Sequence, residues 1–428
     1  MLLPGTVLTV DIEKPAAGGA MIARHEGQVV LVRQAIPGER LRVRVTRVRP
    51  GVAYADPIEV IEASADRRDD AGDTACGGCV FAHIAYARQP ALKAAIVRDA
   101  LVRLGGVSIG GDIPVAAGRD DGYRMRARLH VRRGRIGFFR EGTHELCDPA
   151  VTRQLRPDTL AALAELGAVL RRVRAPLAAD LELAENVPAS QRAIHLLLPP
   201  GAPAPRPGPL TTVAGFTGIS WSDAGSRRGQ ISGDPWVADA LTLDGAAAFR
   251  VPLRHHVESF FQANRYLLNR LLERVLAQVP SGPVLDLYAG VGLFAVGLAA
   301  RGERGIVAVE GDRRGAADLD RNAAPYEGAV DAVHLPVERF LAQRPPSPVT
   351  TIVVDPPRTG LSAVALQGIA GVRAPRIVYV SCDVATLARD VKRFTAEGYA
   401  ATHVEAFDLF PNTAHVESLV VLDRITEH

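Results

Sequence analysis

From about residue 256 onward the chain alternates short strand-like runs with helix-like ones, and this alternation constrains the fold more than any other feature. The strand-like runs are "PVLDLYA", "GIVAVE", "DAVHL", "TTIVVD" and "RIVYVS"; helix-like runs such as "RGAADLDRNAA" and "VATLARDVKRFTAEG" separate them. Such alternation requires βα units on a parallel sheet. The final runs, "ATHVEAFDLF" and "HVESLVVLDR", have no helix between them, which predicts an antiparallel hairpin closing the sheet edge. Ligands of such sheets bind beyond the carboxyl ends of the strands. Asp286, Glu310, Asp355 and Cys382 all fall there.

The earlier part of the chain is different. Residues 1 to 62 hold short β-like runs ("TVLTVDI", "QVVLVRQ", "LRVRVTRVR", "IEVIEA") separated by Gly-rich or Pro-Gly turns, the signature of a small barrel. Arginines two apart in "LRVRVTRVR" share one strand face, either solvated or turned towards RNA. Residues 63–255 mix strands and helices into a central α+β domain that begins with a CxxC segment, "CGGC". Within it, Leu92, Ile96, Ala100 and Leu104 recur at helical spacing, "DTLAALAELGAVLRRV" reads as a second helix, and "PPGAPAPRPGP" reads as a loop. Residues 256–428 complete a three-part chain, in keeping with its 428 residues.

No stretch approaches the ~20 apolar residues of a membrane span, and the N-terminus lacks a signal peptide's features, so a cytoplasmic protein without a membrane partner is expected. Four cysteines are too few and too unevenly placed for a disulfide framework, which leaves reduced thiols for metal or nucleophilic work. The net charge is only +3, but residues 124–140 carry seven arginines and no acid. Arg124, Arg126, Arg128 and Arg132 are therefore candidate RNA contacts.

"LDLYAGVGLF" places Gly290-x-Gly292 after a strand, and Glu310 ends the next one. This pattern alone fits a dinucleotide fingerprint. Asp286 lies inside the preceding strand, however, and Asp355 faces the same crevice. A pocket lined by carboxylates suits the sulfonium and ammonium of S-adenosylmethionine better than two phosphates. Asp355 opens "DPPRTG", where two prolines remove two backbone donors and force the strand to stop. Cys382 stands between a strand and a helix, where a helix N-terminus would lower a thiol's pKa. Beside a methyl donor, a thiol has a specific use. Carbon 5 of a pyrimidine takes a methyl group only after a nucleophile has added to carbon 6, and a base must then remove the hydrogen at carbon 5. Glu417 in "HVESLVVL" is the best-placed acid for that step.

Together these stretches resemble the RNA uracil-5-methyltransferase family, which modifies tRNA and 23S rRNA. The resemblance rests on "FFQAN", "LDLYAGVGLF", "VEGD", "DPPRTG", "SCDVATLARD" and "HVES", preceded by "CGGC", "GYRMRARLHV" and "GFFREGTHEL". It covers nearly the whole chain. It implies an α/β fold in which a Rossmann-type methyltransferase domain follows a TRAM-like, OB-like RNA-binding barrel and a central α+β RNA-binding domain. It further implies Gln262, Tyr288, Glu310 and Asp355 around S-adenosylmethionine, alongside Asp286, Gly290 and Gly292. Cys382 would be the nucleophile and Glu417 the base, with Asp355 at both donor and substrate. Arg358 would meet an RNA phosphate or orient a carboxylate. A glutamine-amide methyltransferase would end the Pro-Pro motif in an aromatic residue instead.

Two departures stand out. Many members carry four cysteines for a 4Fe-4S cluster, but the first of those positions is Asp70 here, and Cys147 is out of register with the last, near Thr152. Cys76, Cys79 and Cys147 would hold a cluster only with Asp70 or another oxygen ligand. Leu293 and Pro336 replace polar residues near the cofactor, so apolar packing should hold more of the adenosine. The expected function is methylation of carbon 5 of a specific uridine by a monomer, with 23S rRNA favoured over the tRNA T loop. The alternatives are an NAD-dependent oxidoreductase and a non-catalytic RNA-binding protein.

Overall fold

The computed structural model describes residues 2–70, 72–172, 178–202, 213–223, 229–243, 248–343 and 348–425. Most of the loop expected at 199–209 lies outside them. Strands β1 (Val7–Pro15), β2 (Met21–His25), β3 (Gln28–Val32), β4 (Arg40–Arg49) and β5 (Val52–Glu62) form a closed barrel. Leu8, Val10, Leu41, Val43 and Val45 fill its interior, while Arg40, Arg42 and Arg44 alternate outward. Two of those arginines meet acids, Asp11 and Glu59, on neighbouring strands. Closure leaves no free sheet edge. Buried Glu39 ties the barrel to the next segment, accepting from Arg67 Nε and Nη2, both at 2.6 Å.

Helix α1 (Gln89–Arg103) follows, then β6 (Val115–Ala116), β7 (Arg126–Arg132), β8 (Arg135–Phe139) and β9 (Leu146–Cys147). Helix α2 (Pro157–Arg172) precedes β10 (Ala178–Glu185), β11 (Arg192–Leu198), β12 (Gly218–Asp223) and β13 (Gly229–Gly233). Seven of these strands form one sheet in the order β13-β12-β11-β10-β7-β8-β9. Leu163, Leu166 and Leu170 of α2 pack with Leu129, Leu181 and Leu183 of the sheet. On β7, Ala127, Leu129 and Val131 point into this core. The alternation of a strand therefore puts Arg126, Arg128, His130 and Arg132 together on the opposite face.

The ribbon of β14 (Trp236–Leu243) and β15 (Phe249–His256) runs through the boundary expected at 255. Beyond it come α3 (Leu268–Ala277), β16 (Val284–Leu287), α4 (Leu293–Ala300), β17 (Ile306–Glu310), α5 (Arg313–Ala323), β18 (Val330–His334) and α6 (Val337–Gln343). The chain ends with β19 (Thr351–Val354), α7 (Ala363–Val372), β20 (Arg376–Ser381), α8 (Val384–Ala396), β21 (Tyr399–Phe407) and β22 (Glu417–Arg424). As the alternation predicts, β16 to β20 are parallel and covered on both faces. Leu285, Ile352 and Ile377 pack with α7 and α8, whereas Val284, Val353 and Val378 pack with α3 and α4.

The last two runs pair as the expected antiparallel hairpin, β21 with β22, but the hairpin does not itself form the sheet's outer edge. The sheet order is β18-β17-β16-β19-β20-β22-β21-β6. The last strand inserts beside β20, and the two-residue β6 from the middle of the chain pairs with β21 at the outside. Among the described residues no helix is long and apolar enough to cross a membrane.

Candidate active site

Three strand ends build the crevice. After β16 the chain turns through Tyr288 (φ 59°), Gly290 (φ 56°) and Gly292 (φ 94°). A Cβ at Gly292 would stand 2.8 Å from Leu319 Cδ1, so the turn needs glycine there for both conformation and space. Tyr288 occupies the left-handed region without that freedom, a local strain of the kind found at functional sites. Glu310 at the end of β17 braces the turn, accepting from Gly290 N at 2.7 Å and Asp312 N at 2.6 Å. Asp286 is fully buried; one oxygen accepts from Ala295 N at 3.0 Å and the other has no partner in the protein. Burial pushes its carboxyl up to about 8. Asp355 follows β19, its Oδ2 receiving Gln262 Nε2 at 3.4 Å, and burial pushes it up to about 7. The structure thus places Gln262, Asp286, Tyr288, Gly290, Gly292, Glu310 and Asp355 in or beside adjoining strand ends. The unpartnered Asp286 oxygen is the kind of buried acceptor that an ammonium or sulfonium would satisfy.

The Pro-Pro turn is held from outside. Gly360 N donates to Pro357 O at 2.8 Å, and α8 grips the segment that follows. Arg389 donates to Thr359 O and Leu361 O at 3.1 and 3.2 Å, and buried Asp390 receives Leu361 N at 2.8 Å. This presents Arg358 to Cys382, near enough for its charge to act on the thiol. Across the sheet, Ser381 pairs with Ser418. Cys382 and Glu417 follow directly on that last pair, and the Glu417 carboxylate is near enough to act on the thiol.

The helix N-terminus does not make Cys382 acidic, as had been expected from its position. Asp383 caps α8, accepting from Ala385 N at 3.1 Å and Thr386 N at 2.8 Å. Burial pushes the Cys382 thiol up to about 12; Glu417 and Asp355 add to the rise, and Arg358 opposes it. Glu417, 3% exposed, is itself raised well above the usual carboxylate range by burial and by Asp355.

A cavity of about 490 Å³ leads to Cys382. Arg124, Arg128 and Arg358 line it; Arg126 and Arg132 do not. Arg126 lies over Phe260 and 3.8 Å from Glu182, and Arg132 lies over Phe139. Arg124 stands between the rings of Phe138 and Phe410.

Sequence reasoning overlooked the support of the segment between Asp408 and Glu417. Lys93 of α1 is fully buried, pairs with buried Asp408 and donates to Phe410 O at 2.9 Å. Gln89, one turn earlier, donates to Asn412 Oδ1 at 2.9 Å and accepts from Asn412 N at 2.8 Å. The signal was present: Gln89 and Lys93 fall on the same helical stripe as Ile96 and Ala100, where polar groups need partners.

The cysteines correct another expectation. Cys76 and Cys147 are joined in a disulfide, and buried Cys79 is one turn away. Asp70 is exposed, and among the described residues no three His, Cys, Asp or Glu side chains are arranged to hold a metal. The three cysteines of the expected set are thus neighbours, with Cys76 and Cys147 paired and no oxygen ligand among the described residues arranged beside them. Cys79 and Cys382 remain free thiols.

A parallel sheet with carboxylates at three strand ends, and a thiol facing a carboxylate beside them, defines a group-transfer enzyme of the Rossmann-type methyltransferase class. Residues 2–58 match the TRAM domain model, and residues 347–425 match the tRNA (Uracil-5-)-methyltransferase model. A 23S rRNA (uracil(1939)-C(5))-methyltransferase of Pseudomonas putida is 31% identical over 97% of this chain and 93% of its own. That of Halomonas elongata is 31% identical over 96% and 89%. An RNA methyltransferase of Streptomyces coelicolor is 32% identical over 98% and 93%. The chain belongs to the RNA uracil-5-methyltransferase family. Its fold matches Pyrococcus abyssi tRNA (uracil-54, C5)-methyltransferase, solved with S-adenosyl-L-homocysteine, at a TM-score of 0.76 and 23% identity, covering 97% of this chain and all of that one.

Proposed function

We propose that this protein methylates carbon 5 of a uridine in structured RNA through a covalent Cys382–uracil adduct, using S-adenosylmethionine. The observation that carries the reading is that Glu417, Asp355 and Arg358 all come near enough to Cys382 to act on its thiol. Gln262, Asp286, Tyr288, Glu310 and Asp355 would hold the donor, which supplies an electrophilic methyl group. The unpartnered Asp286 oxygen favours a cationic ligand over the pyrophosphate of NAD. Adenosine recognition falls to apolar neighbours such as Leu293.

The sulfur of Cys382 adds to carbon 6 of the ring, and the electron pair of the 5,6 double bond makes carbon 5 nucleophilic. Arg358 stabilises the thiolate as its proton leaves. Once carbon 5 carries the methyl group, Glu417 takes the remaining hydrogen from that carbon; the double bond re-forms and the thiolate departs. Asp355 keeps Glu417 basic enough to accept this proton, since each carboxyl raises the other's affinity for it. The TRAM-type barrel and the named relatives support 23S rRNA as the RNA.

Replacing Glu417 with Gln keeps the shape and removes the base. Addition and methyl transfer should proceed while elimination stalls, leaving protein cross-linked to methylated RNA as a band that survives denaturing electrophoresis. The band should vanish in a Cys382→Ala background. Normal turnover by the Gln variant would assign the base elsewhere, with Asp355 next in line. Turnover by Cys382→Ala would remove the covalent mechanism.

A further inference from the structure

The cavity that reaches Cys382 has an aromatic wall that the methyl transfer does not use. His130 and Phe139 both line it, on neighbouring strands β7 and β8. Their rings are parallel within 6°, with centroids 3.5 Å apart. His130 Nδ1 lies 2.8 Å from Asp180 Oδ1, and Arg128 Nη2 donates to the other Asp180 oxygen at 2.5 Å. Arg132 stands over the Phe139 ring at 5.1 Å, and His144 meets that ring edge-on. The imidazole is fixed on two sides: Asp180 holds its edge and Phe139 covers one face. The ring lines the cavity and keeps 16% of its side-chain surface exposed.

A rigid ring beside cations is the recipe by which proteins hold unpaired bases, since every base offers a flat face for stacking and a phosphate for the cation. Arg124, Arg128 and Arg358 supply the charge along the same walls. At about 490 Å³ the space exceeds what one pyrimidine ring occupies. Drawing a uridine out of a strand also leaves its neighbour without a stacking partner, a cost that a second aromatic surface offsets.

We propose that the His130–Phe139 stack is a subsite for a second unpaired base of the substrate RNA, a purine by preference because of its larger face, occupied while the target uridine lies at Cys382. This rests on the uracil-methylation reading, and the test separates the two. The probe is a short oligoribonucleotide carrying 5-fluorouridine at the target, which the full chain with S-adenosylmethionine traps because fluorine at carbon 5 leaves no proton to remove. 2-Aminopurine is placed in turn at each nearby position on either side, its fluorescence being quenched when it stacks.

In the trapped wild-type complex one position should be quenched relative to the others. His130→Ala should abolish that quenching, and His130→Phe should retain it. With ordinary uridine RNA, an abasic residue at the same position should raise KM about tenfold, the size of one base-stacking contact, with kcat little changed. In His130→Ala the abasic change should cost nothing further. Uniform fluorescence in a wild-type adduct, or quenching lost equally in both variants, would overturn the subsite while leaving the reaction intact. Absence of any wild-type adduct would overturn the reaction reading and the subsite with it.

Discussion

The Cys382 thiol offers a quantitative test of how burial and charge compete at this site. With a pKa of about 12, roughly 3 in 100,000 of these thiols are ionised at pH 7.5, against about one in ten for an ordinary thiol near 8.5. That is a deficit of about 3,000-fold in thiolate. A more basic thiolate is also a better nucleophile, and a Brønsted slope of ~0.45 over some 3.5 units returns about 40-fold. The net expectation is alkylation of Cys382 by iodoacetamide on the order of 100-fold slower than that of free cysteine. The assay is mass spectrometry of the Cys382 peptide after timed labelling of the free protein. Partial burial slows labelling at every pH, so the slope is the diagnostic quantity: the rate should climb tenfold per unit from pH 7 to beyond 10. Asp355→Asn removes a neighbour that raises the thiol, and should speed labelling at fixed pH. A rate that levels off below pH 8 would refute the reasoning, for the helix N-terminus would then dominate after all.

Lys93→Met leaves Asp408 buried and unpaired, and should cost about 3–5 kcal/mol in urea unfolding, with Lys93→Met/Asp408→Leu recovering most of it. Replacing Arg124 and Arg128 with Gln should lower the log–log salt slope of RNA binding by about 1.4, at ~0.7 for each phosphate contact on a single strand. Arg126→Gln should leave that slope unchanged, because Arg126 faces Glu182 and Phe260 outside the cavity. Alkylation of denatured, unreduced protein should label two cysteines, Cys79 and Cys382, and four only after reduction; four at once would exclude the Cys76–Cys147 bond.

Local rules made much of this legible. The parallel sheet followed from alternating periods, and the crevice from the rule that strand ends hold ligands, because both depend on patterns within about 30 residues. Cys382 and Glu417 are singled out by the chemistry a uracil requires, and the fold brings them near each other. What escaped is long-range or competitive. No local pattern announces that β22 slots in next to β20, or that a two-residue strand near 115 completes the sheet. The expected acidity of Cys382 gives way because burial above all, and then Glu417 and Asp355, outweigh its neighbour in sequence, the helix end. Arg124 to Arg132 read as one basic run, yet Arg124 and Arg128 line the cavity while Arg126 and Arg132 lie over Phe260 and Phe139. The thiols were counted correctly, but only the fold reveals that Cys76 meets Cys147 across 71 residues.

The clasp between α1 and the Asp408–Asn412 segment has a consequence for synthesis. Lys93 and Asp408 are 315 residues apart. At ~5–20 residues per second, the helix leaves the ribosome roughly 15 to 60 seconds before its partner exists. During that interval the stripe destined for the interior faces water, and Gln89 and Lys93 make it a stripe that water tolerates. A Leu or Met in place of Lys93, with Asp408 made apolar to match, would suit the finished protein but give the waiting chain a continuous greasy face with Leu92, Ile96 and Val97. The buried lysine thus reads as provision for the nascent chain, and it ties the last piece of the active site to arrival of the C-terminus. Until that happens the thiol has no carboxylate across from it, so an unfinished enzyme carries no working chemistry.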